Sequence, residues 1–87
     1  VNLPNLTMNI GKRSRYRVRL IHRNVPGVMA RVNQIFASSE ANVDAQILAT
    51  VDEVGYVLTD ISAGLGREAL EELSHLPETV RLIATPL

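Results

Sequence analysis

Twice along this chain, and in the same order, the spacing of apolar residues switches between two and nearly four. Tyr16, Val18 and Leu20 alternate with Arg17 and Arg19, a period of two that sorts side chains onto the two faces of a strand. Val28, Met29, Val32, Ile35 and Phe36 then fall on one stripe of a helix expected over residues 26–39. Alternation returns over residues 42–51, pauses at the polar turn Asp52-Glu53, and resumes over residues 54–62. Gly64 and Gly66 bracket the entry to a second helix over residues 67–75, with Leu70, Leu73 and Leu76 facing inward and Pro77 preventing its continuation. A last strand is expected over residues 79–84, after a first strand over residues 16–21.

The resulting order, βαββαβ, predicts an α+β, ferredoxin-like domain: a four-stranded antiparallel sheet with both helices on one face. The other face would be bare, with Leu48, Ile21 and part of the third strand exposed beside the arginines. A domain of this size gains from covering such surface with a second copy, so the pattern predicts a homodimer pairing edge to edge through the first strand and the first helix.

Where the first strand meets the first helix stands His22-Arg23-Asn24-Val25-Pro26-Gly27-Val28. Proline at a first helical position loses nothing, because its missing N–H would be an orphan donor there. Gly27 permits close approach of a ligand or a second backbone. The first helical amides lie at the positive end of the helix dipole, which suits a carboxylate or phosphate. His22 and Asn24 add a titratable imidazole and a donor/acceptor amide, and Asn24 is also well placed to cap the helix. The constellation predicts a pocket for a small zwitterion. No nucleophile, base or paired carboxylate stands near it in a catalytic pattern. Asp44, Asp52, Glu53 and Asp60 have no metal-ligand spacing and read as solvated, and His75 reads as a partner of a helix C-terminus.

The run from His22 to Ile61 resembles the ACT regulatory domains that end D-3-phosphoglycerate dehydrogenases. The likeness rests on H-x-N-x-P-G-V, N-x-I-F-A, N-V-x-A-Q and G-Y-V-x-x-D-I at matching intervals. It implies an L-serine site made of His22, Asn24, Val25, Pro26, Gly27 and Asn42, with Asn42 coming from the neighbouring subunit, and feedback inhibition of a parent enzyme that uses NAD. The fragment itself is expected to be non-catalytic and to hold no cofactor, since Gly64 and Gly66 lack the third glycine and the acid of a dinucleotide fingerprint. One departure is Glu40, where the family carries glycine. A side chain held left-handed there costs on the order of 1 kcal/mol, unless the helix ends differently. Two other readings stay open at this point: an ACT module binding a different amino acid in another enzyme or regulator, or an oligomerisation module without a ligand.

Composition narrows the rest. Eighty-seven residues make one domain, expected over residues 16–87, with residues 1–15 as an arm from a preceding catalytic region and a first residue, Val1, that suggests an excised piece. The absence of cysteine fits a cytoplasmic protein. No apolar run approaches the ~20 residues of a membrane span. Net charge is zero, but seven of nine basic residues lie between Lys12 and Arg31. Arg13, Arg15, Arg17 and Arg19 fall at every second position and predict a solvated strand face, of the kind that protects a sheet edge. Sheet-type RNA readers stack bases on interleaved aromatics, and Tyr16, Phe36 and Tyr56 are too few and too scattered for that. No nucleic-acid partner is expected.

Overall fold

The computed structural model of the protein describes residues 16–39, 41–62 and 66–87. The expected arm, with Arg13 and Arg15, lies outside the described residues, as do Glu40 and Gly64. Six elements follow one another: β1 (Tyr16–Arg23), α1 (Val28–Ser38), β2 (Val43–Val51), β3 (Val54–Ile61), α2 (Arg67–Ser74) and β4 (Thr79–Pro86). They form a four-stranded sheet in the order β2-β3-β1-β4, with every pairing antiparallel. The fold expected from the apolar periods is therefore the fold observed.

Val18, Leu20, Val57 and Ile61 on one face of the sheet pack with Val28, Val32, Ile35 and Phe36 of α1 and with Ala69 and Leu73 of α2. The stripe that sorts α1 in the sequence is thus the stripe that it buries. Leu70 and Leu76 only pack at the margin, and the fully buried leucine of α2 is Leu73. β2 and β3 join through Asp52 and Glu53, with Asp52 at φ 54, a left-handed conformation that aspartate tolerates. No helix among the described residues is long and apolar enough to cross a membrane.

The structure corrects three expectations. β1 lies between β3 and β4, so the first strand has no free edge; the edges are β2 and β4. Pairing through the β1 edge is thereby excluded, and so is an edge position for Arg17 and Arg19. The phase of β2 is also inverted. Leu48 pairs with Val57 and Gln46 with Thr59, so both project toward the helices, while Ala45, Ile47 and Ala49 share the open face with Tyr56 and Asp60. Leu48 is nonetheless 49% exposed, on an edge strand of the sheet.

The third correction concerns charge. Asp60 is fully buried, and both its oxygens accept from Arg17, from Nε at 2.9 Å and from Nη2 at 3.0 Å. The hydrogen bond to Asp60 raises the Arg17 pKa above its ordinary range, against a smaller opposing effect of burial. Arg17 is a structural cation, whereas Arg23 at the end of β1 is exposed.

Candidate ligand-binding site

The turn after β1 is built by Pro26 and Gly27 together. Gly27 takes φ 87 and ψ −6, and Val28 N donates to Val25 O at 3.4 Å, the signature of a type II turn with proline second and glycine third. The helix therefore begins at Val28, two residues later than expected. Gly27, not Asn24, stands at its N-cap, and no side chain caps it. The first ladder bond runs from Arg31 N to Gly27 O at 3.2 Å, leaving the amides of Met29 and Ala30 ahead of it. No acidic residue in the first turn neutralises that end of the dipole.

Two backbone bonds fix this loop to the sheet. Arg23 N donates to Glu78 O at 2.8 Å, and Asn24 N donates to Glu53 O at 2.7 Å. Asn24, Val25, Pro26 and Gly27 are all exposed on the surface so formed. The guanidinium of Arg31, one turn into α1, pairs with Glu78 on the opposite side of the loop.

His22 is the buried member, 1% exposed on the helix side of the sheet. Its Nδ1 lies 2.9 Å from the carbonyl oxygen of Arg23. A carbonyl can only accept, so Nδ1 carries the proton, and in the neutral ring Nε2 is left as an acceptor. That nitrogen is buried and has no hydrogen-bond partner among the described residues. An acceptor in that condition favours a donor brought by something else.

Asn42 lies elsewhere. It precedes β2, is exposed, accepts from Ser62 N at 3.0 Å through its carbonyl, and donates from Nδ2 to Asp44 Oδ1 at 3.3 Å. His22 pairs with Gly55, which pairs with Thr50 near the far end of β2, whereas Val43 pairs with Ile61 near the start of β1. At ~3.3 Å per residue, the two ends of β2 are on the order of 25 Å apart. One chain brings His22, Asn24, Val25, Pro26 and Gly27 together and leaves Asn42 at the opposite end of the sheet.

Two contacts of the fold are not legible in the residue pattern. Gly55 lies directly under the His22 ring. Gln46 Nε2 donates both to Asn33 Oδ1 of α1 at 3.0 Å and to buried Thr59 Oγ1 at 2.9 Å, tying the β2 edge to the helix layer. Gln46 ends N-V-x-A-Q and Gly55 opens G-Y-V-x-x-D-I, but neither motif discloses what its residue touches, because that depends on strand register. Near the C-terminus of α1, Phe36 O accepts from Ala41 N at 3.1 Å and from Ser39 Oγ at 2.9 Å, so that carbonyl is satisfied around Glu40.

The residues do not fit a dinucleotide. Such a site needs a parallel strand–helix–strand unit with a glycine-rich turn, and the sheet here is antiparallel throughout. Among the described residues no group of three or more His, Asp or Glu side chains could hold a metal ion.

The family model described as an AHAS small subunit-like ACT domain matches residues 18–81. The chain is 35% identical over 81 residues to a D-3-phosphoglycerate dehydrogenase of Dictyostelium discoideum, covering 93% of this chain and 19% of that protein. It is 38% identical over 84 residues to the D-3-phosphoglycerate dehydrogenase of Escherichia coli K12, covering 93% of this chain and 20% of that protein. The chain thus spans about a fifth of the length of these relatives. Among solved structures, the ligand-free regulatory subunit of aspartate kinase from Thermus thermophilus superposes with a TM-score of 0.68 at 26% identity, over 84% of this chain and 51% of that one. The chain belongs to the ACT domain family, and its relatives place it with the ACT domains of D-3-phosphoglycerate dehydrogenases.

Proposed function

We propose that this domain binds L-serine between two copies of itself and thereby feedback-inhibits a parent D-3-phosphoglycerate dehydrogenase, an NAD-dependent enzyme of the cytoplasm, to which residues 1–15 connect it. The observation that carries this reading is the buried acceptor of His22, on the strand whose following turn opens α1 with amides that no acid in its first turn neutralises. Serine offers a matching set of groups. Its carboxylate meets the amides that open α1, its ammonium meets the side-chain oxygens of Asn24 and of Asn42 from the second subunit, and its hydroxyl donates to His22 Nε2. Val25, Pro26 and Gly27 shape the wall.

The separation of Asn42 from His22 supports a site shared between subunits. An antiparallel ladder between β2 and its copy would lay the start of one β2 beside the end of the other, bringing Asn42 of the second subunit toward His22 and Asn24. The β2 edge offers Val43, Leu48 and Val51, each at least 40% exposed. The other edge, β4, ends in Pro86, which has no ladder donor to give. A ligand held by both subunits favours one relative orientation, and a coupling of ~1–3 kcal/mol is typical of effective regulation. A second reading, with another amino acid in the same turn, is favoured by the AHAS-type family description.

Mixing Asn42→Ala subunits with His22→Ala subunits tests the shared site. Asn42→Ala alone should weaken serine roughly tenfold to 150-fold through loss of one charge-assisted hydrogen bond, while the domain stays folded and dimeric. The mixed dimer should regain one intact pocket per dimer in calorimetric titration. No recovery, with subunit exchange confirmed, places the site within one chain; titration with other amino acids in place of serine separates the two readings.

A further inference from the structure

Gly55 stands opposite His22 in the β1–β3 ladder, and directly opposed residues share one face of a sheet. A Cβ placed on residue 55 would lie 2.4 Å from His22 Cε1, 2.5 Å from Nε2 and 3.1 Å from Nδ1. Positive backbone angles among the glycines belong to Gly27 alone of those described, so Gly55 is not needed for its backbone freedom. What it supplies is space. His22 is almost wholly buried, and its ring can tilt away only by giving up the 2.9 Å bond from Nδ1 to Arg23 O. That bond also decides which nitrogen holds the proton and which presents a lone pair.

We infer that Gly55 is a positioning residue of the ligand site: by leaving its Cβ position empty it sets the tilt and tautomer of His22, and with them the direction of the Nε2 acceptor. This rests on the serine reading for its functional consequence, and on the ring geometry alone for its mechanism. A methyl group at residue 55 would turn the ring, free the Arg23 carbonyl and misdirect Nε2.

The test is a cycle of four proteins: wild type, Gly55→Ala, His22→Ala and the double variant. Each is titrated with L-serine and L-alanine, melted without ligand, and examined by ¹⁵N NMR of the histidine ring. Gly55→Ala should weaken serine by roughly tenfold or more, about the cost of one misdirected hydrogen bond, and should bring serine and alanine to nearly equal affinity. It should lower the Tm and move the His22 ring-nitrogen shifts. In the His22→Ala background the same change should alter neither Tm nor affinity. Equal effects of Gly55→Ala in both backgrounds, or unchanged ring shifts, would overturn the inference. If Gly55→Ala alone does not fold, a folded double variant supports it, and a double variant that also fails overturns it. Should wild type bind no serine, the serine reading falls, while the Tm cycle and the ring shifts still decide whether Gly55 sets the imidazole.

Discussion

Two buried polar side chains lie toward opposite ends of the β1–β3 ladder and on opposite faces of the sheet, and they are treated differently. Asp60 faces away from the helices and has both oxygens bonded by one guanidinium. His22 faces the helices and has one nitrogen bonded and the other without a partner among the described residues. A buried ion pair with full hydrogen bonding holds a sheet in one arrangement and offers nothing to a ligand. A half-satisfied ring keeps one directed acceptor in reserve. The first is an element of structure, the second an element of recognition, and the two can be separated by mutation.

The largest expected effect is on the satisfied side. Arg17→Ala strands a buried carboxylate, which costs about 3–5 kcal/mol. At about 4–8 °C per kcal/mol for a domain of this size, the melting temperature should fall by more than 10 °C. The hydrogen bond to Asp60 raises the Arg17 pKa, so the folded state holds this proton more tightly than the unfolded chain does. A raised pKa stabilises below the unfolded value and loses its contribution only as pH climbs through the folded one. That window lies far into alkali, so the Arg17 contribution should be constant from mildly acidic to mildly alkaline pH. A thermal melt of Arg17→Ala matching wild type would show that the pair is not what holds this end of the sheet.

The unsatisfied side predicts a binding difference in place of a stability difference. L-serine and L-alanine differ by the hydroxyl that would meet Nε2. Leaving a buried acceptor unpaired costs roughly 1–3 kcal/mol, or about 5-fold to 150-fold in affinity. Calorimetry should show serine tighter by that ratio in wild type, and the two nearly equal in His22→Ala. Equal binding in wild type would remove His22 as the hydroxyl partner and would erase the contrast with Asp60.

The same contrast explains what the residue pattern disclosed. Periods of two and of nearly four report which residues share a face, and so the six elements and the stripe of α1 were readable. Turn chemistry at Pro26-Gly27 was visible too, although as a type II turn ahead of the helix and not as its first residues. A period says nothing about which strand lies beside which. The central place of β1, the pairing of Arg17 with Asp60 and the position of Gly55 beneath His22 all depend on that order. The phase of β2 was unreadable for a different reason. Its helix-side residues Gln46, Leu48 and Thr50 are exposed at the edge, while the open side carries Ala45, Ile47 and Ala49. With apolar and wet residues on both faces, alternation has a period but no sign.

The smallest effect separates two glycines of one site. Gly27 lies in the turn that follows His22 and Gly55 lies against its ring, yet one serves a backbone angle and the other an empty volume. A Cβ on Gly27 would meet nothing within 4 Å, so Gly27→Ala incurs no clash. Its cost is that of holding an L-residue at φ 87, roughly 1–2 kcal/mol. Gly27→Asn should cost less, since asparagine visits the left-handed region more readily. Because this cost lies in the backbone, it should be the same whether residue 22 is histidine or alanine. The Gly55→Ala cost, in contrast, should vanish once the ring is removed. Chemical denaturation of Gly27→Ala in both backgrounds gives the answer. A Gly27→Ala penalty that disappears in His22→Ala would mean that the turn and the ring are one mechanical unit, and that the two glycines do not act independently.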